Sequence, residues 1–242
     1  MGAGDRLVGV GSYDRFPPEV DRIRRVGGLI DPDTEGIITL RPDLVVVYDT
    51  QVELMARLDR AGIAYFPYEH RALPDVMETI RTLGARMGLP EASEAVAAGM
   101  ERDLEGVRAS VRGLPRPRTL LVFGREPGAL RNIYASGGYG FLADLLDAAG
   151  GDNVFGDVDR QSLQASTEMI LARRPEAIVE LRYGRAAGRD AASAAADWLA
   201  LASVPAVRTR RIHVLTGDEF VVPGPRVVLA AQRLAEALHA GP

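Results

Sequence analysis

Short apolar runs alternate with longer amphipathic stretches along most of the chain. The runs are bounded by turn-forming residues and are typical of strands buried on both faces. They cover residues 7–10, 43–48, 63–67, 118–123, 176–181 and 212–215. Helical patterns separate them at residues 52–61, 73–88, 138–149, 166–173, 190–202 and 223–240. This alternation predicts an α/β fold with mainly parallel sheets.

One segment interrupts the alternation. From Pro90 to Gly113 the sequence is rich in Ala, Glu and Arg and shows a single helical pattern, which ends at a glycine followed by PRPR. Its length predicts one rigid helix of about six turns. We therefore predict an N-terminal lobe over residues 1–86, a spanning helix over 87–115 and a C-terminal lobe over 116–242. The pattern leaves open a crossover helix within one continuous sheet.

Composition narrows the classes of protein that fit. The chain has 242 residues, enough for two lobes with separate cores, and a formal net charge of -4. A nucleic-acid surface needs a clustered basic excess, so we expect no nucleic-acid partner. The absence of cysteine excludes disulfides, thiolate metal sites and cysteine nucleophiles. No apolar run is long enough for a membrane span, and the first residues lack the charged region and apolar run of a signal peptide.

An internal repeat relates the two predicted lobes. Thr34 to Val46 reads TEGIITLRPDLVV, and Thr167 to Val179 reads TEMILARRPEAIV, so the segments align without a gap. Both show a capped helix, an Arg-Pro turn and a buried strand. Glu35 and Glu168 occupy the same place in the first turn. There they either complement the helix macrodipole or form two acidic points that meet two basic points on a symmetric partner.

Signatures of enzymes are weak. Gly9 and Gly11 follow an apolar run, but position 14 is aspartate rather than the third glycine of a dinucleotide loop, and no P-loop or GxSxG motif occurs. The histidines show no metal-ligand spacing; they are His70, His213 and His239. A chelatase-like tetrapyrrole enzyme remains an alternative, with His213 as its candidate metal ligand. A ligand sensor or scaffold without a transporter is a third reading.

Five segments carry a resemblance to a known family. They read GAGDRLVGVGSYDRFPPEV, RPDLVVVY, FLADLLDAAGGDNVF, STEMILARRPEAIV and TGDEFVVPGPRVVLAAQRLAEAL. In this order they resemble the class III periplasmic binding proteins of ABC importers, most of all the vitamin B12-binding proteins, with siderophore and haem receptors as cousins. The resemblance implies two α/β lobes joined by one long helix, with a ligand cleft between the lobes.

The function implied by the resemblance is transport rather than catalysis. Such a protein captures a metal chelate, here a cobalamin-like corrinoid, and delivers it to an ABC permease and its ATPase. An iron-siderophore or haem cargo is the alternative within the same class. The resemblance also implies a monomer in the periplasm or another extracytoplasmic space, with no cofactor of its own. It assigns permease docking to Glu35 and Glu168.

Ligand contacts also follow from the resemblance. Tyr13 matches a ligand-contacting tyrosine, Tyr48 and Tyr134 fall where relatives place a tryptophan and a phenylalanine, and Asp218 matches a polar contact. Aromatic faces suit a corrin ring, which is broad and apolar with an amide-rich rim. The sequence departs from the relatives at two further tryptophan positions and one arginine position, which hold Leu29, Ser162 and Val222.

Two arginines add a candidate anion contact. Arg125 and Arg131 lie on the loop after a predicted strand of the second lobe, where α/β folds bind ligands. Guanidinium groups there would bind the carboxylates of a siderophore or of haem. The other interpretation is solvation of the surface in an arginine-rich chain.

The chain begins with residues that resemble those which relatives place after a leading strand and helix. We therefore expect the first strand-helix unit of the N-terminal lobe to be absent.

Overall fold

The computed structural model describes residues 1–69, 71–183 and 190–240, so His70 lies outside the described residues. The chain forms two compact units. Unit 1 contains Met1–Glu69 and Arg81–Glu94, and unit 2 contains His70–Ile80 and Ala95–Pro242. The partition into residues 1–86, 87–115 and 116–242 remains a prediction.

Helices and strands alternate through most of the described chain, as the apolar pattern predicts. The helices are α1 Thr34–Thr39, α2 Val52–Arg60, α3 Leu73–Arg86, α4 Pro90–Val111, α5 Phe141–Ala148, α6 Thr167–Arg173, α7 Ala191–Asp197, α8 Pro205–Arg208 and α9 Val227–His239. The strands are β1 Val45–Tyr48, β2 Tyr65–Tyr68, β3 Arg118–Gly124, β4 Ile133–Ser136, β5 Asp152–Asn153, β6 Ser162–Ala165, β7 Ala177–Arg182 and β8 Ile212–Thr216. Short 3-10 helices lie at Gly4–Arg6, Pro18–Arg22, Trp198–Leu201 and Asp218–Phe220.

Unit 1 is built on a two-stranded parallel sheet. β1 pairs with β2 in a register that places Val45 opposite Tyr65 and Tyr48 opposite Tyr68. Helix α2 connects the strands, and its buried Leu54 and Leu58 pack in one cluster with Ile37 of α1 and Val47 of β1. A parallel pair requires a crossover of this kind, so both strands end at the same edge of the sheet.

Unit 2 contains a mixed sheet whose described strands follow the order β6-β4-β3-β7-β8, with β5 also paired to β3. Strands β3, β7 and β8 are parallel, while β4 is antiparallel to both β3 and β6. Apolar side chains bury both faces of the centre. One cluster lies with α4, α5 and α9, and the other lies with Trp198 and α8. The predicted α/β class is therefore confirmed, with antiparallel strands added to its parallel centre.

The predicted long helix is present as α4. Its buried side chains recur at the spacing of one helix face and belong to the core of unit 2. They are Ala97, Met100, Leu104 and Val107. One face of this long helix is therefore part of the core of unit 2.

The predicted strand at residues 7–10 is wrong. Only Val10 pairs, through an isolated parallel bridge to Arg25, and Leu7 and Val8 are exposed. The Val10 amide donates to the Arg24 carbonyl at 3.0 Å, and the Val26 amide donates to the Val10 carbonyl at 3.0 Å. The backbone of this short run is satisfied by a neighbouring loop, so no longer ladder forms.

Truncation of the buried face of α4 should destabilise the protein. We expect Leu104→Ala to lower the free energy of unfolding by about 2–5 kcal/mol, because it removes a fully buried side chain and leaves a cavity. Urea denaturation followed by circular dichroism measures this. Leu199→Ala, at an exposed leucine of the same unit, is the matched control and should shift stability by less than about 0.5 kcal/mol. Equal effects would contradict the packing of α4.

Candidate functional site

Two tyrosines in contact lie at the carboxyl ends of the strands of unit 1. Tyr48 and Tyr68 are the last residues of β1 and β2 and lie opposite each other in register. Their ring centroids are 4.7 Å apart and their planes are inclined by 39°. The carboxyl ends of parallel strands are where α/β folds bind ligands. The pair therefore presents aromatic surface at the edge where a ligand site is expected.

Burial changes the acidity of one phenol in this pair. It raises the pKa of Tyr68 well above its usual range, with further contributions from a hydrogen bond with the Tyr48 side chain and from the negative charge of Asp14. A hydrogen bond raises the pKa of a phenol when the phenol is its donor, so the Tyr68 hydroxyl proton is directed at Tyr48 and helps to hold the two rings together.

Tyr13 lies on a loop that is ordered by glycines. The Ser12 amide donates to the carbonyl of Gly27 at 2.8 Å, and Gly27 adopts a left-handed conformation with φ of 85°. The Tyr13 ring lies against Gly28, where an added Cβ would be 3.3 Å from the ring. Tyr13 itself is 84% exposed. Its ring is thus placed from one side and open to solvent on the other.

One amide side chain ties a second exposed loop to the aromatic pair. The Gln51 Oε1 atom accepts from the Tyr48 backbone N–H at 3.0 Å, and Gln51 Nε2 donates to the Leu29 carbonyl at 3.0 Å. Leu29 and Ile30 on this loop are both exposed apolar residues. Gln51 therefore fixes an apolar loop relative to the end of β1.

In unit 2, Tyr134 lies on β4 and is half exposed. Its ring centroid is 6.4 Å from that of Phe123 on β3. Arg131, on the turn between these strands, donates from Nη2 to Glu126 Oε1 at 2.7 Å, and its side chain remains 72% exposed. Tyr134 and Arg131 are therefore both accessible to a ligand.

Arg125 is held inside unit 2. Its side chain is 4% exposed and forms ion pairs with Glu180 and Asp197, each at 2.9 Å. Its Nη1 atom also donates to the Ala129 carbonyl at 3.1 Å, and Trp198 Nε1 donates to Glu180 at 2.9 Å. The sequence-based assignment of Arg125 as a ligand contact is therefore corrected: the guanidinium links the turn after β3 to β7 and α7.

Asp218 begins the 3-10 helix Asp218–Phe220, which is separated from the end of β8 by Gly217 alone. Its carbonyl accepts from the amides of Val221 and Val222 at 3.1 and 2.9 Å. The next residue, Glu219, is buried and bonded to Arg233 of α9. Asp218 is thus fixed at the carboxyl edge of the sheet, next to an exposed Val222.

The two repeat segments have the same local structure. Asp33 accepts from the Gly36 amide at 2.9 Å, and Ser166 accepts from the Met169 amide at 3.2 Å, so each helix is capped by a side chain. Both segments then turn through a left-handed arginine before proline: Arg41 has φ of 49° and Arg174 has φ of 51°. The predicted repeat is therefore a repeated helix-turn-strand structure.

Glu35 and Glu168 are both exposed in the first turns of these helices. A hydrogen bond from the Ser166 side chain, together with backbone hydrogen bonding, lowers the pKa of Glu168, so its carboxylate is charged at neutral pH. Within the described residues neither glutamate forms an ion pair. Both are therefore available to a cationic partner.

Sequence reasoning missed Tyr68 and Gln51. The predicted strand at residues 63–67 ends one position before Tyr68, whereas the structure extends β2 to Tyr68. Gln51 gives no signal in one sequence, because its two partners are set by the turn after β1 and by a loop before α1.

His213 is the candidate metal ligand of the chelatase-like alternative. It lies on β8, and burial together with the charge of Arg211 lowers its pKa, which favours the neutral ring. Its Nε2 atom is buried without a hydrogen-bond partner in the described structure. Across residues 1–69, 71–183 and 190–240, no three His, Cys, Asp or Glu side chains are grouped to hold a metal ion. No helix among these residues is long and apolar enough to cross a membrane.

Comparison with known proteins assigns the family. The profile of the family described as periplasmic binding protein matches residues 1–219. A vitamin B12-binding protein of Salmonella typhimurium is 30% identical over 241 residues, covering 98% of this chain and 84% of the relative. An ABC transporter substrate-binding lipoprotein of Bacillus subtilis is 25% identical, covering 99% of this chain and 75% of the relative.

A solved structure agrees in fold. The apo form of the periplasmic haem-binding protein RhuT from Roseiflexus has a TM-score of 0.81 and 26% identity, covering 98% of this chain and 91% of that chain. The chain therefore belongs to the periplasmic binding protein family. Members are transport components that deliver a small molecule to a membrane permease and its ATPase, and they are not enzymes.

The internal role of Arg125 can be tested against a surface arginine. We expect Arg125→Met to lower the free energy of unfolding by about 3–5 kcal/mol, because it leaves the buried Glu180 carboxylate without its cation. Arg131→Met removes an exposed pair and should lower it by less than about 1 kcal/mol. Chemical denaturation of both variants provides the comparison. If Arg125→Met were as mild as Arg131→Met, the internal role would be rejected.

The acidity of Tyr68 predicts a pH dependence. Above pH about 10, the ordinary pKa of tyrosine, the unfolded chain releases the Tyr68 proton while the folded chain retains it. The free energy of unfolding should therefore fall as pH rises, and less steeply in Tyr68→Phe. Denaturation at a series of alkaline pH values measures both slopes. The wild-type slope in Tyr68→Phe would refute the assignment.

Proposed function

We propose that this chain is the substrate-binding component of an ABC importer whose cargo is a cobalamin-like corrinoid. The observation that carries the proposal is the aromatic pair at the carboxyl ends of β1 and β2, with Tyr13 exposed on a loop of the same unit. A corrin ring has a broad apolar face, which stacks on aromatic side chains, and an amide rim, which accepts hydrogen bonds from phenols. The vitamin B12-binding relatives support this cargo.

Unit 2 contributes its own candidate contacts to the proposed function. Tyr134 offers an accessible aromatic ring, and Asp218 offers a carboxylate at the end of β8. Exposed Leu29, Ser162 and Val222 stand at the positions where the resemblance implies two tryptophans and an arginine. Each of these three side chains is therefore smaller than the one that the resemblance implies at its position.

A second cargo in the same class is favoured by Arg131. Its exposed guanidinium can bind the carboxylate of a siderophore or a haem propionate, which a corrinoid amide rim does not supply. The likeness to a haem-binding protein also supports this candidate. Arg131 is paired with Glu126, so part of its charge is already compensated, and the corrinoid remains the first proposal.

The proposed setting follows the family. The chain acts as a monomer in the periplasm or another extracytoplasmic space, carries no cofactor of its own, and docks on a permease-ATPase complex through Glu35 and Glu168. Support comes from the matched helices that expose these two carboxylates.

Titration of the purified chain separates the cargoes. Cyanocobalamin, haemin and a ferric siderophore are each added while absorbance and heat are recorded. We expect stoichiometric binding of cyanocobalamin without turnover, weakened by about 1 kcal/mol or more, roughly fivefold, in Tyr48→Ala and Tyr13→Ala. Tyr68→Phe should also weaken binding, and Tyr65→Phe is the matched control that should not.

Each outcome decides between the proposals. Binding of haemin or siderophore alone, lost in Arg131→Gln, would replace the corrinoid by the second cargo. Binding that is indifferent to all three tyrosine variants would move the site away from the aromatic pair. Conversion of any compound to a product would overturn the transport role.

A further inference from the structure

The two helices that carry the proposed docking glutamates, α1 and α6, each expose an aliphatic side chain beside the glutamate. Ile38 is 38% exposed on α1, and Leu171 is 39% exposed on α6. They occupy the same position of the repeat, three residues after Glu35 and Glu168. Residues three apart are neighbours on a helix surface, so carboxylate and aliphatic group lie on one face.

Ile38 and Leu171 are exposed to the same extent because their helices pack on their own units in the same way. The residues just before them, Ile37 and Ile170, are both buried, which fixes the same rotation of each helix on its own unit. A polar residue at the exposed position would leave this anchoring intact. Isolated exposed aliphatic residues are common on protein surfaces, but the same combination of carboxylate and aliphatic group occurs here once in each unit.

We infer that Ile38 and Leu171 are apolar contact points for the permease, one beside each docking glutamate. The inference rests on the proposed importer function and adds to it the chemistry of the partner. Two equivalent surfaces on one chain match two equivalent surfaces on the partner. The occupant is therefore a pair of related permease subunits, each presenting a basic side chain next to an apolar patch.

The two kinds of contact have separable physical effects. Glutamates attract basic residues over a distance, so they raise the association rate and make it sensitive to salt. Burial of aliphatic surface is short-ranged and insensitive to screening, so it mainly slows dissociation. Unit 2 also exposes Met169, at the position where unit 1 has a buried Gly36. The unit 2 surface therefore has the larger apolar area.

The test uses the permease-ATPase complex of the same organism in nanodiscs and the full chain in solution. The variants are Ile38→Gln with Leu171→Gln, and Glu35→Gln with Glu168→Gln. In the first pair, glutamine replaces an apolar side chain by one of similar size with a polar amide end. In the second pair, glutamine removes only the negative charge. Val52→Gln with Leu199→Gln is the matched control, since both side chains are exposed elsewhere, one in each unit. Association and dissociation rates are measured at several salt concentrations, and ligand affinity and melting temperature verify the fold.

We expect the aliphatic pair of substitutions to raise the dissociation rate roughly tenfold at every salt concentration, with the salt dependence of association unchanged. The glutamate pair should slow association and flatten its salt dependence. The control pair should match the wild type.

The failures are distinguishable. If the wild type does not bind the complex with or without ligand, the proposed importer function fails. If the wild type binds and the aliphatic variants dissociate at the wild-type rate, only this inference is overturned.

Discussion

Pairing of β3 with β7 is the interaction on which unit 2 depends. Leu120, Leu121 and Val122 of β3, with Ile178 and Val179 of β7, are fully buried. These strands supply side chains to both cores, one beneath α4 and α9 and one beneath Trp198. Because both faces are apolar, the exposed polar groups near this sheet lie beyond its strands: the turn bearing Arg131 follows β3, and the 3-10 helix bearing Asp218 follows β8. The buried Glu180 lies within β7, where Arg125, just after β3, compensates its charge.

Unit 1 reaches a related arrangement with fewer strands. Its pair β1 and β2 also ends at one edge, and both final residues are tyrosines in contact. The capped helix and the left-handed arginine before proline, which lead into β1 and β7 alike, give each unit a buried strand and an exposed acidic helix. One local sequence pattern thus places a candidate ligand edge and a candidate docking surface in each unit.

Sequence alone predicts the features that depend on local periodicity. The helix α4 and the parallel strands follow from uninterrupted patterns, and the repeat identified both glutamates. Prediction from the sequence fails where contacts with residues distant in the chain decide whether a segment forms a strand or whether a side chain is buried. The segments forming β4 and β6 are short and partly polar, and they become strands because they pair with each other. Arg125 has the same local context as a ligand contact, but Glu180 and Asp197 place it in the interior.

The positions that depart from the B12-binding pattern share one physical property. Leu29, Ser162 and Val222 are all exposed, and none belongs to a core cluster. Substitution at such positions changes folding stability little, usually within about 0.5 kcal/mol. Gln51 anchors the backbone of the Leu29 loop, so the side chain there can vary without moving the loop. Single substitutions at these three positions are therefore compatible with a folded protein, whichever side chain stands there.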